Sequence, residues 1–398
     1  MTVKPPQDLD LLAPEFLRDP YPTLRRLRET DPVHWSARHH AWLVTRHSDA
    51  TEILRDRRFA SHSGGRFRDV EDATARRVLE NMLVFNDPPK HTRLRKLVGR
   101  AFTPRVVSKL ESRIELIVGA LFDEWEDAEW VDFVERFAFP LPAWVIAELI
   151  GVPAADRKKF HAWANAITDV VFRSRDRERM RAGLRSFRDL DGYFETLIAR
   201  YRTRPRENLL CDLLAIEESG DRLQPHELRG LCAELLTAGH ETTMALLASS
   251  VWLLDRFPEV REALRSEPDR IAIAVEEMLR FESPVRVLVR TASEPASLSA
   301  REIRSGERLM LLIPALNRDP EHFEAPEDFV FDRAPNPHLA FGMGPHFCIG
   351  ASLARLEARL ALRELLARFP AFRIASEPPQ WRAVLGSRSL ARLALAPG

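Results

Sequence analysis

A chain of 398 residues with 45% hydrophobic content can bury one large core, or two lobes sharing a core, and reads as globular. Lysine plus arginine and aspartate plus glutamate both total 59, so no global field draws the molecule to nucleic acid or to an anionic membrane, and bulk charge selects no partner. The three cysteines, Cys211, Cys232 and Cys348, are odd in number, far apart and without a C-x-x-C pair, which speaks against a disulfide framework and a structural zinc site.

The first residues, MTVKPPQDLDLLAPEFLRDP, have neither the basic start nor the apolar run of a signal peptide. No later segment offers the ~20 apolar residues of a spanning helix, so a soluble, cytoplasmic protein is expected. PVHWSA and AWLVTR read as short strands around the polar RHH turn, and SDATEILRD as a helix capped by its serine. From about residue 105 the apolar spacing turns helical, in VVSKLESRIELIVGALFDEW, LPAWVIAELIGV and LRSFRDLDGYFETLIARY. The run QPHELRGLCAELLTAGHETTMALLASSVWLLDRFP stays helical for roughly thirty residues before Pro258, long enough to cross a whole domain. Its apolar character on all sides implies burial, yet Glu234, Thr237, His240, Glu241, Thr242 and Thr243 interrupt it and need partners or a task.

PDRIAIAVEEMLRFESP follows as a helix ended by Pro284, SGERLMLLIPAL as a strand, and NRDPEHFEAPEDFVFDRAPNPH as a proline-rich irregular segment. IGASLARLEARLALRELLARF is an amphipathic helix, and short strand-like pieces close the chain. No repeat or low-complexity linker marks a boundary. The expectation is one mainly α domain with small sheets (α+β) over residues 1–398, β-richer at roughly 30–60 plus 285–335 and helical elsewhere.

Cys348 stands in HLAFGMGPHFCIGASLAR. Gly342, Gly344 and Gly350 permit close approaches that a side chain would block, and the following helix points its N-terminal amides at the sulfur, which favours a thiolate. Such a sulfur could serve as a nucleophile or a metal ligand; an isolated cysteine in a glycine turn could also be a buried structural residue. A dinucleotide fingerprint fails because its third glycine falls on Phe347, and a phosphate loop fails for want of a Gly-Lys-Ser/Thr ending. A zinc reading would have to gather His338, His346 and Cys348 without a second close cysteine. Haem iron held by a single thiolate remains.

FGMGPHFCIG resembles the haem-ligand loop of the cytochrome P450 family, matching F-G-x-G-x-H-x-C-x-G at every fixed position. The resemblance implies a long central helix over a haem and a proximal loop with Cys348 as metal ligand and Phe341, Gly342 and Gly350 against the macrocycle. AGHETT, residues 238–243, is similar to the family's oxygen-activation motif, which implies that Ala238 and Gly239 make room for oxygen and that Glu241 and Thr242 deliver protons. Residue chemistry agrees, since splitting O–O in a dry cavity needs protons that a hydroxyl and a carboxylate can organise. Taken alone, Thr242 would be an ordinary helix threonine bonded to a preceding carbonyl, and a zinc-protease reading of HETTM lacks its second histidine.

Glu277 and Arg280 of EEMLR share a helix face, where an exposed ion pair would be the ordinary reading. The resemblance makes the pair structural and docks it on Arg333, with Val330 where bacterial members usually carry aspartate. DPPKHTRLRKLV sets His91 and Arg95 on one face; by resemblance they hold a haem propionate together with Arg290 of SPVRVLVRTA and His346. With NRDP at 317–320, these motifs run from 87 to 355 in family order.

The implied enzyme is a haem-thiolate monooxygenase of secondary metabolism that hydroxylates or epoxidises a largely apolar small molecule with O2. It would use haem b (Fe-protoporphyrin IX) and electrons from NAD(P)H through an external ferredoxin and ferredoxin reductase, as a monomer without nucleic acid or membrane partners. Arg93, Lys96, Arg100, Arg355 and Arg359 form a basic face suited to an acidic ferredoxin, or a solvated helix face. Glu234, Ala238 and Thr242, spaced by four, should look into one cavity, with Thr237, Val285 and Arg286 beside it. Glu234, Arg286 or both then read a polar group on the substrate, or they pair with each other. Ser61 to Phe85 and VVFRSRDRERMRAGLRSF are the expected lid. Rivals are a haem-thiolate peroxygenase or rearrangement enzyme, disfavoured by the intact acid and alcohol pair, and a non-catalytic haem-binding sensor or a zinc-binding structural protein.

Overall fold

The helix expected across the middle of the chain spans Pro225–Arg256, 32 residues, in a computed structural model that describes residues 9–398 apart from 62–66, 100–101, 126–127, 173 and 219–222. Its first turn is set by a reciprocal cap: the Gln224 side chain takes the Glu227 amide, and the Glu227 carboxylate takes the Gln224 amide at 2.9 Å. Pro258, without an N–H and with fixed φ, stops it at the far end. Helices Pro140–Ile150, Arg157–Val171, Arg177–Thr203, Ile271–Phe281 and Ala351–Arg368 pack around it, so it is buried on nearly every side. Two of its internal hydroxyls bond one turn back: Thr237 Oγ1 donates to the Ala233 carbonyl at 2.7 Å and Ser249 Oγ to that of Ala245 at 2.8 Å. His240 Nε2 donates to the Phe139 carbonyl at 3.1 Å, and burial pushes its imidazole down to about 3, so it stays neutral.

The expected N-terminal strands form, and they join a five-stranded sheet in the spatial order Val33–Ser36, Ala41–Val44, Arg308–Leu312, Val287–Ala292, Phe59–Ala60. Trp42–Val44 run parallel to Leu309–Leu311, and Val287–Thr291 pair antiparallel with Leu312–Arg308, which holds Val287 to Arg290 at the edge of the helical body. The last residues return to the middle of the chain: Ala394–Ala396 pairs with Val131–Asp132 and Arg373–Ile374. The turn before them, Val384–Ser389, is wedged between Phe172 and Arg286 by the bonds Leu385 N to Phe172 O (3.0 Å) and Arg286 N to Gly386 O (3.0 Å).

Two local expectations are corrected. The β-richer lobe ends at Leu312, and 313–335 carry no strand: Ile313–Leu316 is a single helical turn, and Pro314, Pro320 and Pro326 lack the N–H a ladder requires. Helix His47–Arg55 is not capped by Ser48; its first amide is taken by Asp319 Oδ2 of the NRDP segment at 2.8 Å. Among the described residues no helix is long and apolar enough to cross a membrane.

Glu277 and Arg280 are wholly buried, not an exposed pair. Their side chains meet in a fork at 2.7 Å on both arms, Arg333 Nε reaches Glu277 at 3.1 Å, and Arg280 also donates to the Asn317, Pro326 and Asp328 carbonyls. The Val330 amide, 2.9 Å from Glu277 Oε1, fills a carboxylate lone pair, so the residue at that position contributes through its backbone. Removing one member of such a cluster strands a buried charge, so Glu277→Ala should lower the stability by roughly 3–5 kcal/mol. A fall of the urea midpoint measures it, and an unchanged midpoint contradicts the anchoring role.

Candidate functional site

Between the central helix and the cysteine loop lies a cavity of about 330 Å³. Glu234, Ala238, Thr242 and Leu246 enter it from the helix at four-residue spacing, as one helical face must. Leu83, Val84 and Phe85 roof it, Val285, Val287 and Leu288 form one wall and Leu385 and Gly386 another. Phe341, Gly342, Cys348 and Gly350 make the floor.

The floor is shaped by its backbone. Leu339 N donates to Asn317 Oδ1 at 2.7 Å, Gly342 turns at φ +67, and the Cys348 amide returns to the Phe341 carbonyl at 2.9 Å. Gly344, at φ +71, lies so close to the backbone of Leu54 that a Cβ would sit 2.6 Å from its carbonyl oxygen. Phe347 instead points outwards and is 42% exposed. Burial pushes the Cys348 thiol up, while the Gly350 amide and the charges of Arg95 and Arg355 pull it down. A cation at Sγ would add to the pull towards the thiolate.

Four cationic or hydrogen-bonding side chains ring this floor. His91 is buried with neither ring nitrogen hydrogen-bonded among the described residues, and its ring meets that of His346 at 4.0 Å, tilted by 36°. Burial, with His346 and Arg95 nearby, pushes His91 down to about 4, leaving a neutral ring with one N–H to donate. Arg95 donates to the Phe347 carbonyl at 2.6 Å, and Arg290, pushed down to about 10 by burial, is still a cation and donates to the adjacent Val289 carbonyl at 2.9 Å. His346 Nε2 lies 3.7 Å from Asp87 Oδ1. All four line the cavity, so sequence positions 91, 95, 290 and 346 do converge. Orphaned donors beside a sulfur fit a flat cofactor that bears carboxylates and binds sulfur through a metal.

On the helix, Thr242 Oγ1 donates to the Ala238 carbonyl at 2.7 Å and faces the cavity. Glu241, one position round, faces away: Arg382 donates to it at 2.7 Å, Ser387 at 3.0 Å and Ser389 at 2.7 Å. Burial raises its carboxyl, and Arg382 with the two serines pulls against that rise. Arg382 also meets Asp169 at 3.2 Å, and Asp169 lies 3.9 Å from the exposed Arg179. Arg382, Ser387 and Ser389 were not found from the sequence; they lie some 140 residues away and carry no local signal.

Several expected pocket residues are placed elsewhere. Gly239 faces Ile146, whose Cδ1 would lie 2.9 Å from an added Cβ; its smallness serves helix packing, not the cavity. Thr237 is buried and bonded within its own helix. Arg286 is buried away from the cavity, donating to the Val384 carbonyl at 3.1 Å and the Leu11 carbonyl at 2.7 Å, so it neither pairs with Glu234 nor reads a substrate. Glu234 lines the cavity as expected, but its two oxygens take the amides of Leu83 and Val84, the latter at 3.0 Å. Burial pushes it up to about 7 against those two bonds and Arg95. The basic face is largely self-neutralised: Arg93 pairs with Glu227, Arg355 with Glu276 and Arg359 with Glu111, while Lys96 is exposed and Arg100 lies outside the described residues. Of the expected lid, Ser61, Leu83 to Phe85, Val171 and Phe172 line the cavity, while 62–66 and 173 lie outside the described residues.

A family model described as Cytochrome P450 matches residues 141–380. The chain is 38% identical to the polyketide biosynthesis cytochrome P450 PksS of Bacillus subtilis (strain 168), over 95% of its own length and 96% of that protein's. It is 40% identical to the cytochrome P450 monooxygenase PikC of Streptomyces venezuelae, over 93% and 88%. The solved structure of P450BioI in complex with hexadec-9Z-enoic acid ligated acyl carrier protein superposes with a TM-score of 0.91 at 36% identity, covering 96% of this chain and 99% of that one.

Proposed function

Because the chain belongs to the cytochrome P450 family and is a P450 monooxygenase, we propose that it is a haem-thiolate enzyme that hydroxylates or epoxidises a largely apolar small molecule. The observation that carries this reading is the meeting, in one cavity, of the Cys348 sulfur with the unpartnered nitrogens of His91. Cys348 would hold the iron of haem b, and His91, Arg95, Arg290 and His346 its propionates. Haem so bound supplies the reduction and cleavage of O2, one oxygen atom going to substrate and the other to water.

The chain's own residues manage water and protons. Leu83, Phe85, Val287, Leu288 and Leu246 present apolar surface and exclude water. Thr242 offers a hydroxyl at the cavity wall. Glu241, next to Thr242 in the chain and held by Arg382, Ser387 and Ser389, is the carboxyl we assign to proton exchange on behalf of Thr242, while the Arg382 guanidinium keeps its own protons and holds Glu241 in place. With Arg355 and Arg359 paired to Glu276 and Glu111, Lys96 and the exposed Phe347 are features offered to a redox partner, which we assign to a ferredoxin reduced from NAD(P)H by its reductase.

One observation favours a second mode of substrate delivery. Arg177, Arg181 and Arg185 are exposed at four-residue spacing on helix Arg177–Thr203, beside Arg188, which pairs with Asp72 at 3.0 Å, opposite its buried Gly183, Phe187 and Leu190 and flanked by Glu178 and Asp189. The stripe begins five residues beyond Phe172 in the cavity wall. It suits an acidic carrier protein bearing an acyl substrate, the kind of complex in which P450BioI was solved.

Three outcomes follow. The reduced protein with carbon monoxide should show the red-shifted band of thiolate-ligated haem, lost in Cys348→Ala; a histidine-type spectrum would falsify the assignment. Thr242→Ala and Glu241→Gln should each slow oxygen-dependent product formation by roughly 10²-fold. Undiminished rates in both would remove these residues from proton delivery. Arg181→Glu with Arg185→Glu should weaken binding of a hexadecenoyl acyl carrier protein about tenfold while leaving the free fatty acid unaffected; equal effects on both ligands would exclude a carrier-protein site.

A further inference from the structure

Ahead of Thr242, the central helix makes a row of contacts that proton delivery does not use. Glu227 takes the Arg93 guanidinium. Gly230 lies against Asn81, where a Cβ would come within 2.7 Å of the Asn81 Cβ and 2.8 Å of its carbonyl oxygen. Glu234 takes the Leu83 amide with one carboxylate oxygen and the Val84 amide with the other. These positions lie three and four residues apart, on the face that Ala238 and Thr242 continue. One side of one helix therefore grips the strap from Glu80 to Asn86 and lines the chamber beyond it.

Other polar bonds of the strap are local. Asn81 Nδ2 donates to the Arg77 carbonyl at 2.7 Å, Asn86 Nδ2 to the Glu80 and Met82 carbonyls at 3.1 and 2.5 Å, and Lys90 Nζ to Asn81 Oδ1 at 2.8 Å. These fold the strap on itself without tying Leu83–Phe85 to the helix. Amides 83 and 84 begin the one-turn 3₁₀ helix Leu83–Phe85 and have no earlier carbonyl of that turn to bond. A carboxylate facing an apolar cavity is unfavourable unless its lone pairs are filled, so the two needs match.

We infer that Glu234 is the latch that holds the Leu83–Phe85 roof against the central helix, and that it thereby limits the size of molecule the chamber admits. The inference rests on reading the cavity as the substrate chamber. Glu234 is a positioning residue: it acts on the substrate through Leu83, Val84 and Phe85, and its own oxygens are taken up by backbone. The position reserved by the sequence for recognising a polar group on the substrate thus sets shape instead.

Amide hydrogen exchange on the haem-loaded protein tests the latch directly. Glu234→Ala should speed exchange at Leu83 and Val84 by roughly tenfold or more, and Glu234→Gln, which keeps one acceptor oxygen, should fall between it and the wild type. The second arm titrates imidazole and 4-phenylimidazole against the haem absorption band. Glu234→Ala should shift the affinity ratio at least about threefold towards the larger probe, with imidazole itself little changed, as an effect through the roof and not at the iron requires. Unchanged exchange at Leu83 and Val84 in both variants overturns the latch, and so does an equal change for both probes. The exchange arm does not depend on iron ligation, so its failure is distinct from a failed carbon monoxide spectrum.

Discussion

A helix buried along 32 residues can carry polar side chains only where another segment meets them, and most of the site is the consequence of that constraint. Thr237 and Ser249 satisfy themselves within the helix, at no demand on the rest of the chain. Glu234, His240 and Glu241 cannot, and Glu227 does so with only one of its oxygens. Each therefore fixes a distant segment: Arg93 of helix Lys90–Gly99, the Leu83–Val84 amides, the Phe139 carbonyl and the C-terminal turn with Arg382, Ser387 and Ser389. The strap with Leu83 and Val84, the helix with Arg93 and the C-terminal turn also wall the chamber, so satisfying the helix and building much of the cavity are the same act of packing.

The floor obeys a complementary rule. Its loop is held from outside by Asn317, which takes the Leu339 amide, and by the Leu54 backbone, which leaves no room for a side chain at Gly344. Asn317 in turn lends its carbonyl to Arg280 in the buried cluster with Glu277 and Arg333. A chain of hydrogen bonds thus runs from the EEMLR helix through NRDP to the cysteine loop, while Asp319 of NRDP caps helix His47–Arg55 on the other side. The irregular, proline-rich stretch gains rigidity from side chains where it has no ladder of its own.

Legibility divided along physical lines. The glycine-flanked cysteine, the His91 and Arg95 spacing and the Glu277 and Arg280 pair could be read because their chemistry is written within a few residues. Helical spacing also put Glu234, Ala238 and Thr242 in one cavity correctly. Gly239 and Arg286 were misread because a small residue or an arginine looks the same on paper whether it faces a ligand or a neighbouring helix. The supposed basic face dissolved for a related reason: Arg355 and Arg359 stand alone in sequence, but Glu276 and Glu111 arrive opposite them only on folding.

The sequence by itself determined the family, the long central helix and which residues gather around the Cys348 sulfur, because local spacing dictates which side chains share a turn or a face. The tertiary structure alone decided where those side chains find partners. It turned Glu241 from the cavity towards Arg382 and spent both oxygens of Glu234 on the roof. It also left His91 without a partner, facing the sulfur's cavity. The reason is that burial makes every polar group seek its nearest partner, and nearness across 140 or 150 residues of chain is a property of the fold and not of the spacing.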